Sequence, residues 1–159
     1  MKIFKTILPL FVIVMSVAAC GARSTGVKEN NGIKDKTYTI SLTTEEFLKK
    51  VADFKGNPDA WIYIGDKPAI IDFWAEWCVY CRKLSPVLEE LAKEYEGQIY
   101  VYKVNTEEEK EIATTFGIRS LPTLLFVPLG DTPQVIQGAI PKGELKKIID
   151  EVLLKKNKQ

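Results

Sequence analysis

The stretch DFWAEWCVYC, Asp72 to Cys81, sets two thiols three positions apart and puts a carboxylate in the apolar run just before them. Thiols at this spacing either exchange electrons by opening and closing a disulfide or hold a soft metal. A CxxC at the start of a helix that follows a buried strand favours the first. Unpaired amides in the first helical turn stabilise a thiolate there and lower the pKa of Cys78. Cys81, one turn further in, is close enough to close a disulfide and is more sheltered from solvent. One sulfur attacks and the other resolves.

The surrounding sequence supplies the elements such a pair needs. AIIDFWA (Ala69 to Ala75) is nearly continuously apolar, as a central strand covered on both faces reads, with Asp72 the exception. After Cys78 the residues Leu84, Leu88, Leu91 and Tyr95 follow helical spacing, Pro86 is predicted to kink the helix, and Gly97 supplies a left-handed stop. YTISL (Tyr38 to Leu42) is predicted as a strand, and a Thr43/Glu46 capping box starts a helix reaching about Phe54. WIYIGDKP (Trp61 to Pro68) reads as a short strand or hairpin arm, and Ile99 to Asn105 as a second buried strand carrying an odd charge, Lys103. A Thr106/Glu109 capping box predicts a helix ending at Gly117. TLLFV and QVIQGA then form two strands joined by PLGDTP, and a last helix begins near Pro141 with Leu145, Ile148, Ile149, Val152 and Leu153 on one face. The order β-α-β-α-β-α-β-β-α predicts an α/β domain, a central mixed sheet flanked by helices on both faces.

IIDFWAEWCVYC, GIRSLPTLLF and GAIPKGELKKIID together resemble the thioredoxin family, from about Thr37 to the C-terminus. The resemblance implies the thioredoxin fold, Cys78 as nucleophile and Cys81 as resolving thiol, with the Cys78–Cys81 disulfide as the redox centre and no separate cofactor. It matches Asp72 to the family's buried acid and Lys103 to the lysine beside it. It places Pro122 on the cis-proline of the loop facing the disulfide, against a base rate of about 5% for X-Pro bonds. Trp77, Leu121 and Gly138 fall on the apolar rim that docks substrates, while Trp74 is the better core residue. The physical role of Asp72 follows. A buried carboxyl is costly when charged, so its pKa rises until it can take the proton that Cys81 must lose. Lys103 would tune it; the plainer alternative is a structural ion pair between the two. Val79 and Tyr80 stand where thioredoxin usually has Gly and Pro, which bears on redox poise and substrate choice.

The flanks and composition bound the setting. Lys2 and Lys5 followed by the apolar run Ile7 to Val17 read as a signal peptide, too short for a membrane span of about 20 residues. It ends in VAAC, which resembles the lipobox of bacterial lipoproteins, so residues 1–19 are expected to be removed and Cys20 acylated; cleavage by ordinary signal peptidase after Ala19 is the alternative. Acyl chains at about 0.8 kcal/mol per buried methylene hold a protein to a bilayer. Residues 20–36 then form the lipidated end and a polar tether, and residues 37–159 the thioredoxin domain. With 22 Lys and Arg against 21 Asp and Glu and no basic stripe, nucleic-acid binding is excluded as a reading. The absence of His removes Cys-His or Ser-His nucleophile pairs and the common His-based zinc and copper sites, and no metal is expected.

These features predict a thiol-disulfide oxidoreductase in the periplasm, lipid-anchored to a bacterial membrane. It is expected to reduce disulfide-containing protein substrates and, by analogy with other tethered relatives, to be recharged by a membrane-embedded electron donor. The competing readings are an oxidase or isomerase on the same fold, and a non-catalytic CxxC module carrying copper(I).

Overall fold

The computed structural model describes residues 36–156. The expected signal peptide 1–19, the expected acylation site Cys20 and the expected tether as far as residue 35 lie outside the described residues.

Five strands form one sheet in the order β1-β3-β2-β4-β5, comprising β1 (Ile40–Ser41), β2 (Ala69–Trp74), β3 (Tyr100–Asn105), β4 (Thr123–Val127) and β5 (Gln134–Gln137). The first three in spatial order run parallel, and β4 and β5 are antiparallel to their neighbours. The sheet is therefore mixed, as the element order requires. Alternation along β2 divides the core. Ile70 joins Val101, Leu124 and Phe126 under α2 (Val79–Glu94) and α4 (Lys142–Ile148), which contribute Leu84, Leu88, Leu91 and Leu145. Ala69, Ile71 and Phe73 join Tyr102, Val104 and Leu125 on the other face, under α1 (Thr44–Lys50) and α3 (Lys110–Thr115), with Phe47 and Ile112. Asp72 shares the parity of Ile70 and so lies on the α2 face.

The Thr43/Glu46 capping box forms, but α1 stops at Lys50 rather than near Phe54. Phe54 instead packs edge-on to Phe47 and Phe116, with centroids 6.0 and 5.8 Å apart. Trp61 to Pro68 forms no strand. Its alternation records one buried side, with Trp61 against Phe116, but its Ile64 amide donates to Val51 O at the end of α1 and among the described residues no strand lies alongside. The Thr106/Glu109 box is also absent, and α3 begins only at Lys110. Thr106 Oγ1 donates to Trp74 O at 3.1 Å, while the Glu109 carboxylate accepts from the Thr44 amide at 2.7 Å. Tertiary partners outcompeted the local cap. The long helix α2 runs uninterrupted through Pro86 to Glu94, and Gly97 turns the chain with φ +81°. Pro141 caps α4 rather than entering it, and the chain continues as a π-helical turn, Ile149–Leu153.

Candidate functional site

The C-terminal end of β2, the start of β4 and the end of β5 lie at one edge of the sheet, because Phe73 pairs with Thr123 and Thr123 with Gln137. Both cysteines and the segment before β4 are delivered to this edge. Cys78 caps α2 and Cys81 occupies its first turn; their sulfurs are bonded in a disulfide. Cys78 Sγ accepts a hydrogen bond from the Cys81 amide at 3.1 Å, the kind of donor that a helix N-terminus offers a thiolate. Sequence reasoning expected an exposed Cys78 beside a sheltered Cys81. In the disulfide both are buried, 4% and 2% exposed, because the outward side chains of this turn are Trp77, Val79 and Tyr80, which are 65%, 50% and 64% exposed.

The Leu121–Pro122 peptide is cis, as the resemblance implies. Gly138 N donates to Pro122 O at 2.8 Å, which fixes the end of β5 beside that loop. Its φ of +91° is one that side chains with a Cβ rarely adopt. Leu121 is half-buried. Trp77, Val79, Tyr80, Leu121, Pro122 and Gly138 are thus carried to one edge of the sheet together with the disulfide.

Asp72 is wholly buried on the face under α2, and among the described residues neither carboxylate oxygen has a hydrogen-bond partner. Burial pushes its pKa up to about 7, while the Lys103 charge pulls in the opposite direction. An acid so placed can gain or lose a proton at neutral pH. Lys103 lies directly opposite Asp72 in the β2/β3 register. The structural ion pair does not form: Lys103 Nζ donates to Ser85 Oγ at 2.7 Å and sits 4.8 Å from the centre of the Trp74 ring. Trp74 is half-buried, a roof over that ammonium rather than a core residue. Two participants escaped sequence reasoning. Ser85, four residues after Cys81 and so on the same helix face, had a legible signal in that spacing. Glu89, one turn further on, accepts from the Tyr38 amide and from Thr39 N and Oγ1 at 3.1 and 2.7 Å; its spacing from Ser85 gave a face but no partner.

Among the described residues no group of three or more His, Cys, Asp or Glu is placed to hold a metal, and no helix is long and apolar enough to cross a membrane. The arrangement can carry two electrons as a dithiol and disulfide, with a buried carboxyl to move the accompanying proton.

The sequence matches the Thioredoxin family over residues 38–151. Thioredoxin of Borreliella burgdorferi is 46% identical over 112 residues, which is 70% of this chain and 95% of that protein. The chloroplastic M-type thioredoxin of Spinacia oleracea is 38% identical over 135 residues, 83% of this chain and 74% of the relative. Thioredoxin 1 of a Nostoc species is 44% identical over 88 residues, 55% and 82% of the two chains.

Proposed function

The chain belongs to the thioredoxin family and is a thiol-disulfide oxidoreductase acting on disulfide-containing proteins; from that premise we propose that it works mainly as a reductant, tethered by a lipid on Cys20 to the periplasmic side of a bacterial membrane. In the proposed cycle the Cys78 thiolate attacks one sulfur of a substrate disulfide and the other sulfur leaves as a thiolate. Asp72 takes the proton from Cys81, whose sulfur then attacks Cys78 Sγ. The Cys78–Cys81 disulfide closes, the second substrate thiol departs, and two electrons have passed to the substrate. Trp77, Val79, Tyr80, Leu121, Pro122 and Gly138 dock the substrate beside the sulfurs. An electron donor embedded in the membrane restores the dithiol.

The observation that carries the direction is the thin stabilisation of the Cys78 sulfur. Among the described residues its one hydrogen-bond donor is the Cys81 amide. Val79 and Tyr80 bring no positive charge and face solvent. The nearest cations in sequence are engaged elsewhere, Arg82 on Glu76 O at 2.7 Å and Lys83 near the Tyr80 ring. A lightly stabilised thiolate means a more stable disulfide, hence a potential toward about −270 mV rather than about −120 mV. Equilibration of the Cys78/Cys81 couple against glutathione buffers tests this. A value above about −180 mV, where isomerases sit, overturns the reductant reading. The VAAC motif supports the anchor. Fractionation of bacteria producing the full chain is expected to find it in membranes, and Cys20→Ser is expected to release it.

A further inference from the structure

Lys103 and Asp72 face each other across adjacent strands on the side of the sheet covered by α2. A buried carboxylate without a donor attracts an ammonium placed this way. Here the ammonium turns aside, donating to Ser85 Oγ at 2.7 Å under the Trp74 ring, and both Asp72 oxygens stay unpartnered among the described residues. Ser85 is the sole Ser or Thr of α2 and lies one turn beyond Cys81 on the same face.

We propose that Ser85 is a positioning residue: its hydroxyl holds the Lys103 ammonium against α2 and off the Asp72 carboxylate, which leaves that carboxylate free to take the proton of Cys81. The charged and titratable groups around Asp72 are few. Strand β3 brings Lys103, and β4 brings the apolar Leu124 opposite Asp72. From α2 come Cys81, which does not titrate in the disulfide, and Glu89, which feels the Lys103 charge but is held by Tyr38 and Thr39. Without the Ser85 hydroxyl, the unpartnered acceptor opposite the ammonium is Asp72 itself. An ion pair there favours the charged carboxylate and makes it a weaker base.

This inference rests on the reading of Asp72 as the base for Cys81, but its test does not. The Asp72 carboxyl carbon is titrated by NMR in the oxidised full chain, where neither cysteine of the pair titrates. Ser85→Ala is expected to move the midpoint toward acid by about one pH unit or more, as an opposite charge does to a carboxyl, and Ser85→Thr to keep the wild-type midpoint. Lys103→Met is expected to move it toward alkali, and adding Ser85→Ala in that background to change nothing further. Alanine is the best helix former, so the fold tolerates it. An unchanged or alkaline midpoint in Ser85→Ala overturns the proposal. So does a Thr variant that shifts like Ala, a Lys103→Met midpoint equal to wild type, or a Ser85→Ala shift that persists without Lys103. Each of these can occur while Asp72→Asn still slows resolution, so a failure here is distinct from a failure of the proposed cycle.

Discussion

Glu89 and Asp72 both feel the charge of Lys103, one at the seam where Tyr38 and Thr39 join α2, the other on the strand that leads to the disulfide. At the seam, partial burial raises the carboxyl pKa, but the Tyr38 and Thr39 donors and the Lys103 charge outweigh it and hold Glu89 below the usual carboxylate range. Asp72 has complete burial and, among the described residues, no donor, and its pKa climbs to about 7. The difference is one of burial first and of hydrogen bonds second, more than of neighbouring charge. A carboxylate supplied with donors stays ionised and fastens two elements together. One denied them keeps its proton until neutrality and becomes available for chemistry at a cost in stability.

The comparison is broken most completely at the sulfurs. Cys78→Ser is expected to abolish disulfide exchange, and Cys81→Ser to leave a protein that attacks once and stays trapped as a mixed disulfide, seen on non-reducing gels. If limiting alkylation of the reduced protein labels Cys81 before Cys78, the roles are reversed.

Asp72→Asn comes next. Loss of a general base costs about 10²-fold or more, so the resolving step is expected to slow by that order near neutral pH while the initial attack is far less affected. Stopped-flow measurement of both steps checks this; equal slowing of the two would make Asp72 a structural residue. Its stability profile carries a sign as well. With a folded pKa of about 7 against an ordinary 3.8, the folded chain keeps a proton that the unfolded chain has already lost. The contribution is fully present below the unfolded value and is lost as pH rises to the folded one, about 4 kcal/mol in all at about 1.4 kcal/mol per unit. Denaturant melts of wild type are expected to weaken across that window. Those of Asp72→Asn are expected to stay flatter and to match or exceed wild type at alkaline pH, since a neutral amide costs less to bury than a carboxylate.

Glu89→Ala sharpens the contrast from the other side. It leaves the Tyr38 and Thr39 amides without their acceptor and is expected to cost about 2 kcal/mol of stability, while resolution slows less than about twofold. The wild-type Glu89 contribution has the opposite sign to that of Asp72: present above the ordinary carboxylate pKa, lost as pH falls through the folded one. A Glu89→Ala variant that slows resolution as Asp72→Asn does would collapse the distinction.

Much of this was legible in the residues. Continuous apolarity identified β2, 3.6-residue spacing identified α2, and a charge in each of two apolar strands singled out Asp72 and Lys103, because burial and periodicity are properties of single elements. CxxC after a strand was enough to expect a dithiol at a helix N-terminus. Elements whose limits depend on partners were misread. Trp61 to Pro68 alternates like a strand but among the described residues has no strand beside it, and Glu109 serves Thr44 from a distant element instead of capping its own helix.

The sequence by itself determined the sheet and helix order, the thiol pair and the buried acid, since each is written in local spacing and hydrophobic pattern. Only the tertiary structure decided where the ammonium of Lys103 goes. Its distance from Asp72 along the chain says nothing about Ser85, and the choice between a carboxylate and a hydroxyl acceptor is made when α2 packs on β3 and brings that hydroxyl to 2.7 Å. The tertiary structure also decided that Cys78 is buried while Trp77, Val79 and Tyr80 beside it are exposed, because solvent exposure belongs to the assembled surface and not to the residue.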